Sequence, residues 1–371
     1  DDRAVAYARA LSADAVQKVG NGHPGTAMSL APVAYSLFQR HLVHDPSDPQ
    51  WLGRDRFILS CGHSSLTLYV QLFLSGYGLE MKDLQSFRTW GSLTPGHPEY
   101  GHTAGVEMTT GPLGQGVATA VGMAMAARYE RGLLDPTAPA NTSLFDHSIW
   151  VICSDGDLQE GVSAEASSLA GTQELGNLNI IYDDNRISIE GDTHNAFTED
   201  VAARYRAYGW HVIEVAALST GNIDLVSLDA AMVAAKKETS KPTLIRMHSV
   251  IAWPAPKAQG TAGSHGSALG VDEIKATKIA LGLNPDEDFA MPADVLAHTR
   301  LVKDRGASAR ATWDAKFATW KSANPDKAAL LERLRVKGLP AGWDADIPVF
   351  SPDKEVATRA ASGEVINAIA A

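Results

Sequence analysis

The sequence predicts an α/β fold, a doubly wound and mostly parallel sheet with helices on both faces. Apolar runs alternate with helical patterns along the chain, which is typical of sheets assembled from β-α-β units. The clearest unit has apolar runs at 149–153 and 180–182, separated by a helical pattern of small and apolar residues. Further strands are expected at 56–60, 210–215 and 243–248.

Helical patterns occupy much of the remaining chain. An amphipathic stretch at 2–19 stops at a glycine-rich break, and a second helix is expected over 26–42. The segment 89–111, rich in Gly, Pro and Thr, is expected to be a long loop, and loops of that length are usually functional or disordered. Other helices are expected at about 65–75, from the glycine motif at 111–116 to about 131, at 198–208, at 225–237 and over much of the chain from 271 onward.

The domain organisation is predicted from composition and from the two ends of the chain. Residues 1–322 are expected to form one domain that ends in helices, and 323–355, which contains three prolines within 340–354, is expected to be a linker. Residues 356–371 are expected to begin a second domain. Because the chain starts without Met and stops inside a helical pattern, we expect it to be part of a longer polypeptide.

Composition excludes several classes of function. A formal net charge of −11 over 371 residues gives no electrostatic support for binding nucleic acid or an anionic membrane. Both cysteines, Cys61 and Cys153, lie in apolar runs, which favours reduced thiols and a cytoplasmic location over a disulfide framework. Neither a run of transmembrane length nor a signal-peptide pattern is visible.

Polar residues follow the two strands of the clearest β-α-β unit. Asp155 and Asn185 lie at the carboxyl ends of these two strands, and ligands of parallel sheets bind beyond the carboxyl ends of strands. A carboxylate and an amide oxygen suit Mg²⁺ or Ca²⁺, but they are too few without phosphate oxygens from a ligand. Gly156 would let such a phosphate approach the backbone. The alternative is an ordinary β-α-β unit, since Asp and Asn favour strand ends.

Four histidines stand beside Gly or Pro in predicted loops. They are His23 in GNGHPG, His63 in SCGHSS, His97 in TPGHPE and His265 in GSHGSA. A single loop histidine is usually a solvated residue, but four in matching contexts favour a site. The glycines would let a ligand approach, and imidazoles can exchange protons near neutral pH.

The ordered motifs resemble those of transketolases, which use thiamine diphosphate. The matching segments are GNGHPG, SCGHSS, TPGHPE, HTAGVEMTTGPLGQG, SDGDLQEG, SLAG, YDDNRISIEG and SHGSALG. The resemblance covers the chain to about residue 265 and is weaker beyond it. This chain departs from the usual thiamine-diphosphate fingerprint at Ser154, which replaces a Gly, and at Asp184, which precedes Asn185. Ala268 replaces a Pro of the last motif.

The resemblance implies a thiamine-diphosphate-binding fold and assigns roles by position. The metal ligands would be Asp155, Asn185 and the backbone carbonyl of Ile187. The residues expected to bind the cofactor are His63, His97, Gly111, Pro112, Leu113, Gly156, Asn185 and His265. The residues expected to bind substrate are His23, His97, His265 and, on a terminal phosphate, Arg359. Of these, His23 and His265 are expected to be catalytic because they would carry protons to and from sugar hydroxyls.

The resemblance also implies an activity and partners. The expected reaction transfers a two-carbon ketol unit between sugar phosphates, with thiamine diphosphate as the electron sink. The expected assembly is a homodimer with active sites at the subunit interface, and Glu160 and Glu165 are expected near its axis. A glutamate for the pyrimidine ring would lie in a second domain, so we expect the 371-residue chain alone to bind cofactor weakly and to turn over negligibly.

Three alternatives remain open. Deoxyxylulose-phosphate synthase and dihydroxyacetone synthase are related thiamine enzymes, although the TPGHPE, HTAGVE and SHGSALG motifs favour transketolase. A non-catalytic cofactor-binding module or one subunit of a split enzyme is also compatible with the chain length. A Rossmann dehydrogenase is the third, but no G-x-G-x-x-G follows a first strand.

Overall fold

Five parallel strands form the central sheet of the computed structural model, which describes residues 1–139 and 142–370. The described strands are β1 (Arg56–Leu59), β2 (Ile149–Ser154), β3 (Leu178–Asp184), β4 (Ile187–Ser188), β5 (Gly191–Asp192), β6 (His211–Val215) and β7 (Thr243–His248). The sheet order is β1-β2-β3-β7-β6, and β4 and β5 form a separate antiparallel pair. The prediction of a mostly parallel α/β sheet is confirmed.

Helices connect and cover the strands. They are α1 (Asp2–Val19), α2 (Pro24–Ser29), α3 (Ala31–Ser36), α4 (Leu66–Ser75), α5 (Met81–Gln85), α6 (Gln115–Leu134), α7 (Asp155–Gln159), α8 (Gly161–Thr172), α9 (Val201–Ala207), α10 (Leu225–Lys237), α11 (Val271–Ala280), α12 (Ala293–Thr299), α13 (Val302–Ala323), α14 (Pro325–Arg335) and α15 (Thr358–Ile369). The segment 89–111 contains neither helix nor strand, as its composition predicts.

The two faces of the sheet bury separate apolar clusters. Trp150 and Ile152 of β2 belong to the cluster that includes α1 and α4, whereas Val151 and Cys153 belong to the cluster that includes α6. Successive strand residues point to opposite faces, so a strand that is apolar at every position must be covered on both sides. All four side chains are fully buried. The continuous apolar run therefore follows from the doubly covered sheet.

The helix expected over 26–42 is interrupted. The chain instead forms α2, then α3, then a π-helical turn at Leu37–His41. Pro32 lies in the first turn of α3, where its missing N–H costs nothing, but a proline inside a continuous helix would clash with the preceding turn. The expectation of one helix was therefore wrong.

The chain divides into two compact units, Asp1–Ala315 and Lys316–Ala371. Helix α14 lies inside the segment 323–355 that was expected to be a linker, because Pro325 occupies the first turn of a helix rather than ending one. Helix α15 lies within 356–371, whose last residue is outside the described residues. The domain boundaries themselves stay a prediction. No helix within 1–139 and 142–370 has the length and apolar composition that a membrane crossing requires.

Candidate active site

Strands β2 and β3 are parallel neighbours, so their carboxyl ends meet at one edge of the sheet. Ser154, the last residue of β2, pairs with Asp183 of β3. Asp155 follows at once, and its Oδ2 accepts a 3.1 Å hydrogen bond from the backbone N–H of Arg186, the residue after Asn185. The structure therefore brings Asp155 and Asn185 together. We name Asp155, Asp183, Asp184 and Asn185 the acidic corner.

Asp155 is a buried carboxylate. Only 2% of the residue is exposed, and the Tyr182 hydroxyl donates a 2.6 Å hydrogen bond to its Oδ1. The pKa of Asp155 is raised to about 7, mainly by burial; the charges of Asp183 and Asp184 act in the same direction, and the hydrogen bonds from Tyr182 and Arg186 oppose it. A cation beside this carboxylate would relieve both the desolvation and the repulsion.

Asn185 is held by hydrogen bonds on both ends of its amide. Its Nδ2 donates to Asp183 at 2.9 Å, and its Oδ1 accepts from the backbone N–H of Ile187 at 2.9 Å. Ile187 begins β4 directly after Arg186, whose φ of 59° turns the chain at this point. This turn brings the backbone of Ile187, the predicted backbone ligand, against the Asn185 amide.

Four histidines meet in space, although they come from four separate loops. The ring centroid of His23 lies 5.2 Å from that of His63, 6.4 Å from that of His97 and 5.5 Å from that of His265. The rings of His63 and His265 are stacked at 4.9 Å. We name His23, His63, His97 and His265 the histidine cluster. The cluster includes every loop histidine that the motif contexts singled out.

Burial keeps the histidine cluster neutral at pH 7. It lowers the pKa of His23 to about 4, to which His265, Arg88 and His97 contribute, and it lowers the pKa of His63 well below the ordinary value. The pKa values of His97 and His265 are also lowered by burial. Within the described residues, His23 Nδ1, His63 Nε2 and His265 Nδ1 are buried atoms without a hydrogen-bond partner. A neutral imidazole can both donate and accept a hydrogen bond, through its two ring nitrogens.

Glycines let these loops approach one another. A Cβ at Gly25, two residues after His23, would lie 2.5 Å from the carbonyl oxygen of Ser264, which precedes His265. A Cβ at Gly62 would lie 2.7 Å from the backbone N of Gly111. Since such contacts are too short for any side chain, only glycine permits this spacing of the histidine loops.

The loop that contains Gly111, Pro112 and Leu113 connects the histidine cluster with the acidic corner. A Cβ at Gly111, which has a φ of 146°, would lie 3.2 Å from the ring of His97. At the other end, Leu113 packs on Gly156, where a Cβ would lie 2.9 Å from Leu113 Cδ1. Pro112 is exposed between them. This loop therefore contacts both the histidine cluster, at His97, and the segment that follows Asp155, at Gly156.

Sequence reasoning missed Asp157, which fixes this loop. Its fully buried carboxylate accepts hydrogen bonds from Ser60 Oγ at 2.6 Å, from Gly114 N at 2.8 Å and from Ser154 N at 3.0 Å. With Ser154 it forms a capping box at the start of α7. The spacing Ser154-x-x-Asp157 is the signal that could have identified it.

Three further predicted residues lie elsewhere. Glu160 and Glu165 are exposed at the start and in the middle of α8, and Arg359 is exposed on α15 in the second unit. Their expected roles at a dimer axis and on a substrate phosphate stay predictions.

Known proteins resemble this chain along its length. Residues 1–340 match the family model described as the thiamine diphosphate binding domain of transketolase. The chain is 59% identical over 370 residues to the transketolase of Mycobacterium leprae and 47% identical over 371 residues to that of Geobacillus stearothermophilus. These alignments cover 100% of this chain but 52% and 54% of the relatives. The chain thus spans about half the length of the curated relatives it matches.

Solved transketolases share its fold. One from Pichia stipitis, in complex with sedoheptulose 7-phosphate, gives a TM-score of 0.91 at 44% identity and is matched over 100% of this chain and 54% of its own. One from Leishmania mexicana gives a TM-score of 0.92 at 39% identity, over 99% of this chain and 54% of its own.

Proposed function

This chain belongs to the transketolase family, and from that premise we propose that it forms the diphosphate-binding half of a transketolase active site. The proposed reaction moves a two-carbon ketol unit from a ketose phosphate to an aldose phosphate, a step of the pentose phosphate pathway. Complexes of Pichia stipitis transketolases with xylulose 5-phosphate and fructose 6-phosphate support this class of substrate.

One observation supports the proposal most strongly. The histidine cluster holds three buried, unpartnered ring nitrogens among the described residues, and the 111–113 loop connects it to a buried carboxylate and an amide oxygen. Buried polar atoms without partners are rare in native structures, and each one costs free energy unless a ligand satisfies it. A diphosphate, with many acceptor oxygens, could accept hydrogen bonds from the N–H groups of the neutral imidazoles.

The acidic corner fits a divalent cation. Asp155 and Asn185 offer one charged and one neutral oxygen, as Mg²⁺ and Ca²⁺ prefer, and the carbonyl of Ile187 is proposed as a third ligand. No group of three or more His, Cys, Asp or Glu side chains suited to a metal occurs in the described ranges. The remaining ligands would therefore be phosphate oxygens, so metal and cofactor would bind together.

The proposed cofactor contacts come from the resemblance to transketolases, and the buried, unpartnered histidine nitrogens of the described residues support them. His63 and His265 would donate hydrogen bonds to the diphosphate, and Gly156 would leave room for it beside the cation. Gly111, Pro112 and Leu113 would line the cofactor beneath the diphosphate and its rings. Bound thiamine diphosphate would supply an electron sink for the carbon that leaves the ketose.

The histidines would then handle protons. His23, His97 and His265 would face the sugar hydroxyls, with His23 and His265 as the proposed catalytic pair. Their lowered pKa values keep the rings neutral, so that an imidazole can accept a hydroxyl proton at pH 7. Arg359 would grip the terminal phosphate as a bidentate guanidinium.

A second copy of the protein is the proposed partner. Exposed apolar side chains on α6 and α8, including Met125, Tyr129 and Leu169, support a contact of this kind. The proposed location is the cytoplasm, which the two free buried cysteines support.

The test is calorimetric titration of the full-length protein with thiamine diphosphate, with and without Mg²⁺ or Ca²⁺. We expect binding that requires the cation, and ketol transfer from a ketose phosphate to an aldose phosphate in a coupled assay. Use of pyruvate instead of a ketose phosphate as donor would favour a deoxyxylulose-phosphate synthase. Binding of the cofactor without any transfer would favour a non-catalytic module.

A further inference from the structure

Asp183 is a fully buried carboxylate at the end of β3. Its Oδ2 accepts the 2.9 Å hydrogen bond from Asn185 Nδ2, and its Oδ1 accepts a hydrogen bond from the Ser249 hydroxyl. Both donors are neutral. The ordinary strand-end role of an aspartate, bonding the backbone N–H of a following turn, is not what this side chain does.

The neighbouring carboxylate is neutralised, whereas Asp183 is not. Asp184 pairs with Arg246 at 2.7 Å and with His248 at 3.2 Å. No lysine, arginine or histidine of the part of the chain that the structure describes forms an ion pair with Asp183. A buried carboxylate that accepts hydrogen bonds only from neutral donors is unfavourable, and a positive charge nearby would stabilise Asp183.

Asp183 also determines which way the Asn185 amide faces. A carboxylate only accepts hydrogen bonds, so the NH₂ group must point to Asp183, and Oδ1 must then face the N–H of Ile187. This leaves a second lone pair of Oδ1 for another partner. The negative charge behind the NH₂ group polarises the amide and makes that oxygen a stronger ligand.

We propose that Asp183 is a positioning residue for a divalent cation, acting through the Asn185 amide, and that Ser249 holds Asp183 in place. The inference rests on the proposed function, because the cation is the one that would bind with thiamine diphosphate. Residues that orient metal ligands typically contribute 10–100-fold to metal affinity. Asp183→Asn keeps the shape but removes the charge and the acceptor-only character.

The experiment measures the apparent Mg²⁺ dissociation constant of the full-length protein by calorimetry at a fixed, saturating concentration of thiamine diphosphate. We expect Asp183→Asn to weaken Mg²⁺ binding about 10–100-fold, and Ser249→Ala to weaken it several-fold. Saturating Mg²⁺ should restore most of the turnover of both variants, because neither side chain is expected to touch substrate.

Asp55→Asn is the matched control. Asp55 is a buried carboxylate at the opposite end of the sheet, where the backbone N–H groups of Val43 and Ser148 donate to it. The Asp55→Asn variant should be less stable than wild type but should bind Mg²⁺ with unchanged affinity. By contrast, metal-free Asp183→Asn should melt no lower than wild type, while Mg²⁺ with thiamine diphosphate should raise its melting temperature less.

The outcomes separate the two levels of inference. A wild-type protein without cation-dependent binding of thiamine diphosphate would overturn the proposed function and this inference with it. Normal wild-type binding, combined with Mg²⁺ affinities of Asp183→Asn and Ser249→Ala within twofold of wild type, would overturn the inference alone. If Asp183→Asn does not fold, the Ser249→Ala affinity decides the matter in the same way.

Discussion

The acidic corner and the histidine cluster are both polar and largely buried, but they are completed in different ways. In the acidic corner the chain provides the hydrogen bonds itself, from Tyr182, Arg186, Ser249 and Ile187. In the histidine cluster three ring nitrogens lack partners among the described residues. Hydrogen bonds therefore fix the side chains of the acidic corner, which carries excess negative charge. The histidine cluster is neutral, and its unpartnered ring nitrogens can still form hydrogen bonds.

This difference indicates what each region can recognise. Hydrogen bonds already orient the oxygens of the acidic corner, so a cation would bind there with little rearrangement. The histidine cluster is held by backbone packing at Gly25 and Gly62 rather than by bonds to the rings. Its imidazole nitrogens therefore stay available for the oxygens of a ligand.

The largest expected effect is that of Asp155→Asn. Removing this charge should weaken cation-dependent binding of thiamine diphosphate at least about 100-fold, or about 2.7 kcal/mol, because a direct ligand is lost. The metal-free variant should be as stable as wild type at pH 8, since a buried and repelled carboxylate becomes neutral. Calorimetry and urea unfolding check the two halves of the prediction. Unchanged affinity would show that the acidic corner does not bind the cation.

A second prediction contrasts two histidines. His63→Asn should weaken cofactor binding about tenfold and change stability little, because its buried Nε2 is unpartnered within the described chain. His44→Asn should do the opposite, because His44 bonds the Tyr77 hydroxyl at 2.7 Å and the Phe38 carbonyl at 2.9 Å. Its expected cost is about 1–3 kcal/mol of unfolding free energy with unchanged cofactor affinity. If the two variants changed cofactor affinity and unfolding free energy alike, the prediction that His63 binds the cofactor while His44 only stabilises the fold would be wrong.

The smallest effect concerns pH. Burial lowers the pKa of His23 from 6.5 to about 4, so between these values the unfolded chain binds a proton that the folded chain excludes. Burial of His23 therefore does not reduce the free energy of unfolding above pH 6.5, but it reduces it increasingly as the pH drops towards 4. His23→Asn should reduce the proton uptake on unfolding at pH 5.2 by up to one proton, measured as the pH dependence of urea midpoints. An unchanged slope would mean that His23 is not buried as described.

Local patterns were enough to predict much of this molecule. The strand-helix alternation predicted the parallel sheet, because apolar runs too short for a buried helix must be strands covered on both faces. Asp155 and Asn185 could be placed at one edge, since parallel strands end on the same side. Two local signals were present but not used: Pro32, which ends the helix that was expected to continue to residue 42, and the Ser154-x-x-Asp157 spacing of a capping box.

Tertiary structure alone decided the rest. His23, His63, His97 and His265 are far apart in the chain, and their proximity in space depends on loop packing that no local spacing encodes. The same holds for Asp183, which is two residues from Asn185 in the chain but accepts a hydrogen bond from Ser249, in the segment that follows β7. Burial and long-range hydrogen bonds are properties of the packed sheet, so they arise only once distant segments are brought together.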